Sequence, residues 1–152
     1  MRRLFSMVPP SIPVLIMDFI GLISEEKINH SIDNIAERIN TDFKGKNPVF
    51  LGVLNGAFMV ASEIIKRFQG DCEVTFVKLG SYEGISTSGK VETLIGLSHS
   101  LEGRQVVVIE DIVDTGNTLA AIDRILTSHG VAGYKIATLF FKPEAYQKNP
   151  IQ

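Results

Sequence analysis

The sequence predicts an α/β domain, with a mainly parallel, twisted sheet flanked by helices. Short apolar runs of strand length alternate along the chain with stretches whose apolar residues recur at helical spacing. One run, Gln105 to Ile109, is continuously β-branched after its first residue, the mark of a strand covered on both faces. The length, 152 residues, and the ordinary balance of 45% hydrophobic and 21% charged residues suit one domain with one core.

The elements follow in order. Ser24, followed by Glu26 and Lys27, reads as a helix start, and Ile28, Ile32, Ile35, Ala36 and Ile39 then recur at helical spacing. Gly45 to Pro48 is a turn, and Val49 to Leu54 is an apolar run of strand length. Asn55-Gly56 breaks it, and Ala57 to Phe68 reads as a helix that ends near Gly70. Cys72 to Leu79, rich in Val, Thr and Phe, is a strand. Ser81 to Lys90 is mostly Ser, Gly and Thr, a long loop in which residues 83–90 are expected to be mobile without ligand. Val91 to Leu97 is a strand, Leu101 to Arg104 a turn, and Gln105 to Ile109 the buried strand. Leu119, Ile122, Ile125 and Leu126 mark a helix stopped at Gly130, with His129 at its end. Tyr134 to Phe141 is the last strand, and Pro143 ends regular structure. This divides a single domain, 1–152, into an N-terminal arm (1–23), a core (24–142) and a short polar tail (143–152).

Composition excludes several classes. A net charge of -2 and a pI of about 5.9 argue against nucleic acid as a partner, because phosphate-backbone binding needs a basic surface. Cys72 is the one cysteine, so no internal disulfide forms, and it reads as a small core residue. His30, His99 and His129 lack metal-ligand spacing. Arg2 and Arg3 precede an apolar stretch in outline like a signal peptide, but Pro9, Pro10, Pro13 and Asp18 interrupt it. It reads instead as an extended arm packed on the domain. No membrane association and a cytoplasmic location are expected.

In parallel sheets, ligands bind beyond the carboxyl ends of the strands. Two loops are predicted there, Leu54 to Ala57 and Glu110 to Thr118. The second carries the clearest chemistry. Its buried strand delivers two adjacent carboxylates, Glu110 and Asp111, and the chain then runs through Asp114-Thr115-Gly116-Asn117-Thr118 into a helix. A helix N-terminus presents unpaired N–H groups and partial positive charge, which suits a phosphate. Gly116 lets backbone approach closely, and the Thr115 and Thr118 hydroxyls add donors. Glu110 and Asp111 accept from sugar hydroxyls, directly or around a bound Mg²⁺. The run therefore reads as a ribose 5-phosphate site. Gly84 to Val91 nearly spells a P-loop, but Val91 stands where Ser or Thr must hold Mg²⁺, so nucleoside triphosphate hydrolysis is not expected.

Val106 to Leu119 resembles the phosphoribosyl pyrophosphate signature of the type I phosphoribosyltransferases, with a finer match to the hypoxanthine-guanine branch. Val53-Leu54-Asn55-Gly56-Ala57 resembles the pyrophosphate-binding loop of that branch. Ser81-Tyr82 resembles the start of its mobile catalytic loop. Lys142, closing Thr138-Leu139-Phe140-Phe141, resembles its purine-recognising lysine. The resemblance covers roughly residues 24 to 148 and implies a Rossmann-like core. The implied reaction joins a 6-oxopurine, hypoxanthine or guanine, to phosphoribosyl pyrophosphate with Mg²⁺, giving IMP or GMP and pyrophosphate. By the same resemblance Asp114 is the general acid/base. Glu110, Asp111, Asp114, Thr115, Gly116, Asn117 and Thr118 bind the phosphoribosyl group, with Glu110 and Asp111 at the metal. Asn55 and Gly56 bind pyrophosphate, through a strained peptide bond at Leu54-Asn55. Ser81 and Tyr82 close over the reacting centre, and Lys142 meets the purine. A homodimer or homotetramer is implied.

Blander readings stand beside these: Asn55-Gly56 as a turn pair, Tyr82 as a loop anchor, Lys142 as a solvated strand end, Asp114 as a helix cap. About ten residues follow Lys142, where the family pattern continues with an aromatic over the purine and a late acidic residue. A reduced or incomplete hood is therefore expected. A non-catalytic phosphoribosyl pyrophosphate-binding relative, truncated or regulatory, is the alternative to an active enzyme.

Overall fold

The computed structural model describes residues 23–80, 92–95 and 100–147. The N-terminal arm, Ser81 and Tyr82, the Gly84–Val91 run, His99 and the end of the tail lie outside the described residues. So does the expectation of a mobile loop over 83–90.

The elements run α1 (Glu25–Asp42), β1 (Val49–Leu54), α2 (Ala57–Arg67), β2 (Glu73–Gly80), β3 (Glu92–Ile95), β4 (Gln105–Val113), α3 (Asn117–Ser128) and β5 (Gly133–Phe141). Ser24 caps α1 as predicted: its side chain accepts from the Lys27 N–H at 3.3 Å. Gly130, at φ +62, follows the His129 cap of α3 and lets the chain turn back.

The strands form one sheet in the order β3-β2-β1-β4-β5. β2, β1, β4 and β5 are parallel, and β3 pairs antiparallel to β2. Alternation along each strand builds two cores. Phe50, Val107, Ile109 and Ala137 pack beneath α1 and α2 with Ile32, Ile39, Phe43, Val60, Ala61 and Ile64. Val49, Leu51, Val53, Val106 and Val108 face the other way, against Ile122 and Leu126 of α3. Phe50 is fully buried, and its ring meets Phe68 edge-on at 5.1 Å. Truncating such a phenylalanine to alanine costs about 3–5 kcal/mol. Cys72 is half-buried against the first core, in keeping with its reading as a packing residue, and burial pushes its thiol pKa up. Among the described residues, no helix is long and apolar enough to cross a membrane.

One boundary differs in a way that matters. β4 does not stop at Ile109 but runs to Val113, with Glu110 paired to Thr138, Ile112 to Phe140 and Val113 to Phe141. The predicted loop from Glu110 to Thr118 is thus a strand end followed by a shorter loop from Asp114. Ladder hydrogen bonds to β5 extend the strand beyond the point where charged residues interrupt the apolar run.

Candidate active site

The carboxyl ends of β1, β4 and β5 lie side by side because these strands are parallel neighbours. They bring together three of the four predicted patches: Asn55-Gly56 after β1, Glu110 to Thr118 at the end of β4, and Lys142 after β5.

The loop after β4 turns into α3 at Gly116, whose φ of +84° and ψ of 3° are left-handed. A side chain there would be strained, so glycine is required by conformation. α3 has no side-chain cap, which removes the reading of Asp114 as a capping residue. Thr115 Oγ1 accepts from the Asn117 N–H only at a long 3.4 Å. The first turn of α3 therefore keeps donors to offer, next to the hydroxyl of Thr118.

The two adjacent carboxylates differ. Glu110 is buried, with 8% of its surface exposed, and its Oε2 is buried without a hydrogen-bond partner. Burial, then the hydrogen bond and like charge of Asp111, push the Glu110 carboxyl up to about 8, against an ordinary 4.5. Asp111 is half-buried, and its carboxylate lies against Gly56. A buried acceptor with no partner calls for a donor or a cation. Oxygen donors at a strand end are what Mg²⁺ takes, one or two carboxylates being completed by water and substrate oxygens. Among the described residues no group of three or more His, Cys, Asp or Glu is placed to hold a metal.

The Leu54–Asn55 peptide bond is cis. Gly56, at φ -60° and ψ -43°, is the N-cap of α2, so Asn55-Gly56 is not a turn pair that needs positive φ. Across the site, Lys142 Nζ donates to Asp114 Oδ2 at 3.4 Å, with both side chains about half exposed (54% and 49%). An exposed pair of this length contributes at most about 1 kcal/mol, so a ligand opens it readily. The pairing joins the residue matched by resemblance to purine recognition with the residue matched to proton transfer.

Two contacts carry no motif. One is the Gly56–Asp111 approach. The other is the return of the chain after β5, where the Gln147 N–H donates to the Thr115 carbonyl at 3.2 Å. Pro143 at the second position of a turn is the local signal for that return. Two hollows of about 570 and 590 Å³ lie elsewhere, beside α1 at the Arg67 end of α2 and beside α1 at β5. Neither is lined by a residue of the strand-end site.

Comparison with known proteins agrees with this geometry. Residues 23–150 match the model of the phosphoribosyl transferase domain. A hypoxanthine-guanine phosphoribosyltransferase of Lactococcus lactis is 36% identical over 124 residues, covering 81% of this chain and 67% of the relative. That of Streptococcus agalactiae is 38% identical, covering 81% and 69%. A crystal structure of a hypoxanthine-guanine phosphoribosyltransferase from Bacillus anthracis superposes with a TM-score of 0.78 at 33% identity, over 86% of this chain and 75% of that one. The chain belongs to the phosphoribosyltransferase family, in its hypoxanthine-guanine branch.

Proposed function

We propose that the chain is a purine salvage transferase that moves the 5-phosphoribosyl group from phosphoribosyl pyrophosphate to hypoxanthine or guanine, giving IMP or GMP and pyrophosphate. The observation that carries this reading is the junction of β4 and α3. There a paired carboxylate strand end, a left-handed glycine and an uncapped helix start stand beside the Asp114–Lys142 pair. A regulatory protein that only senses the sugar donor has no need of the last two residues.

Roles follow from the chemistry. The first turn of α3, with Thr115 and Thr118, binds the 5-phosphate. Glu110 and Asp111 accept from the ribose hydroxyls. Breaking the anomeric C–O bond builds positive charge on the sugar, which the Asp111 carboxylate stabilises, joined by Glu110 where a bound cation restores its charge. Asp114 handles the proton at the purine N7. Lys142 donates to the 6-oxo group, and adenine is disfavoured because its 6-amino group is itself a donor. Asn55 and Gly56 offer backbone donors to pyrophosphate. Glu110 and Asp111 would hold a Mg²⁺ ion, which would supply charge neutralisation to pyrophosphate. Ser81 and Tyr82 are assigned by resemblance to covering the reacting centre and excluding water.

A turnover assay tests the proposal: hypoxanthine or guanine, phosphoribosyl pyrophosphate and Mg²⁺, with pyrophosphate and nucleotide measured together. Equal amounts of the two products are expected. Tight binding of the sugar donor with no nucleotide formed would replace this reading with the regulatory one.

A further inference from the structure

The two neighbours of Asp114 are held by one short segment, Lys142 to Gln147. The Lys142 N–H donates to the Val113 carbonyl at 2.9 Å, and the Gln147 N–H donates to the Thr115 carbonyl at 3.2 Å. Both neighbours of Asp114 are thereby tied to the returning chain, and Lys142 Nζ meets the Asp114 carboxylate itself. The segment is closed on itself as a turn: the Ala145 N–H donates to the Lys142 carbonyl at 3.1 Å and the Tyr146 N–H to the Pro143 carbonyl at 3.3 Å. Pro143 presets the backbone angle that such a turn requires. Across the mouth of the turn the rings of Phe141 and Tyr146 meet edge-to-face, 5.6 Å between centroids and 69° between planes. Phe141 is 54% exposed, so its ring is not filling the core.

A group that transfers a proton must be held within about 0.5 Å of its working position, and a loop residue is the hardest to hold so closely. We propose that Phe141 and Tyr146 are positioning residues of the transfer reaction: their ring contact keeps the Lys142–Gln147 turn closed and so fixes Asp114 against the substrate. The role assigned to the rings is to act through the turn and Asp114, not on the substrate. The inference rests on the reading of Asp114 as the general acid/base.

The test is a double-mutant cycle on the full chain. Phe141→Ala, with Tyr146→Leu as an independent second variant, is measured alone and in an Asp114→Asn background. The readouts are kcat with hypoxanthine at saturating sugar donor, and Tm. Each single variant is expected to lower kcat by about 10- to 100-fold, the scale of a displaced catalytic group, with little change in Tm. In the Asp114→Asn background the same variants should lower kcat by no more than about 2-fold, because the group they position is already gone. Phe141→Tyr, which keeps the ring, should restore turnover. Wild-type kcat in both ring variants overturns the brace alone, as does the same fold loss in both backgrounds. Unchanged turnover in Asp114→Asn by itself overturns the reading of Asp114, and the brace with it.

Discussion

Gly56 and Asp111 are packed so closely that no side chain fits between them. A Cβ on Gly56 would lie 2.2 Å from Asp111 Oδ2 and 2.6 Å from Oδ1. The backbone of Gly56 is right-handed, so a larger residue there is opposed by the Asp111 side chain rather than by conformation. This approach sets the start of α2, with the proposed pyrophosphate loop, against a carboxylate at the end of β4.

Gly56→Ala should therefore weaken binding with little loss of stability. Alanine suits a helix start with these backbone angles, but its methyl group must push the Asp111 carboxylate aside. Displaced support of this kind costs about 10- to 100-fold in affinity at metal-assisted sites. Calorimetric titration with phosphoribosyl pyrophosphate and Mg²⁺, beside a thermal melt, measures both. Wild-type affinity in the variant would show that Asp111 takes no part in the site.

Phosphoribosyl pyrophosphate with Mg²⁺ should raise the Tm of the wild-type chain, since only the folded state presents the strand-end site. A ligand at 100 times its Kd adds about 2.7 kcal/mol, which for a chain of this size is about 5–10 °C. Absence of any shift at millimolar ligand, in a differential scanning experiment, would remove the sugar-phosphate site from the β4–α3 junction.

Asp114→Asn should lower kcat by about 10²- to 10⁴-fold, the usual worth of a general acid–base group, with sugar-donor affinity nearly unchanged. The amide keeps the shape of the carboxylate and loses its proton chemistry. Steady-state kinetics with both substrates separates the two effects, and an unaltered kcat takes Asp114 out of the mechanism.

The buried Glu110 gives a pH dependence with a definite sign. Its carboxyl is pushed up to about 8 in the fold, against 4.5 as its ordinary value. Between these limits the folded state binds more protons than the unfolded state, so stability falls as pH rises. The contribution is complete below about 4.5 and lost as pH passes through about 8. The slope from this residue is at most about 1.4 kcal/mol per pH unit. Glu110→Gln, neutral at every pH, should flatten the ligand-free curve in that window and stabilise the chain at pH 8, while weakening sugar binding. Parallel denaturant-unfolding curves for wild type and variant from pH 5 to 9 measure it; identical slopes would mean Glu110 is ionised throughout.

Much of this was legible in the sequence, for identifiable reasons. Helix α1 announces itself through Ser24 and the spacing of Ile28, Ile32, Ile35 and Ile39, because amphipathic periodicity is set by which face is buried. β4 is legible as a buried strand because Val106 to Ile109 are covered from both sides. The β4–α3 junction is legible as a motif because Gly116 must be left-handed where the chain enters a helix with no side-chain cap. What was not legible is long-range. The extension of β4 through Glu110 to Val113 depends on pairing with β5, which propensity does not report. The burial of Glu110, the Gly56–Asp111 approach and the return of Gln147 to Thr115 depend on neighbours far apart in the chain. No spacing rule relates residue 56 to 111, or 115 to 147.

Lys142 separates recognition from architecture, and so supports a sharper test than the other site residues. Its main chain does structural work, with the N–H on the Val113 carbonyl at 2.9 Å. Its side chain reaches the other way, to Asp114, and is about half exposed. Substituting the side chain leaves the backbone bond in place, so Lys142→Ala should fold and bind the sugar donor normally. What it loses is a charge-assisted hydrogen bond to the 6-oxo group, worth about 1.5–3 kcal/mol. The KM for hypoxanthine or guanine should then rise by about 10- to 150-fold, while the KM for phosphoribosyl pyrophosphate stays within about 2-fold. Discrimination should weaken as well. A lysine rejects adenine by setting an ammonium donor against an amino donor, and with the lysine gone that repulsion disappears. The ratio of kcat/KM for hypoxanthine over adenine should therefore fall, chiefly through loss on the hypoxanthine side. Competition between the two bases for the Lys142→Ala variant measures the ratio directly. A preserved ratio with a raised KM for both bases would show that Lys142 shapes the pocket without reading the 6-position.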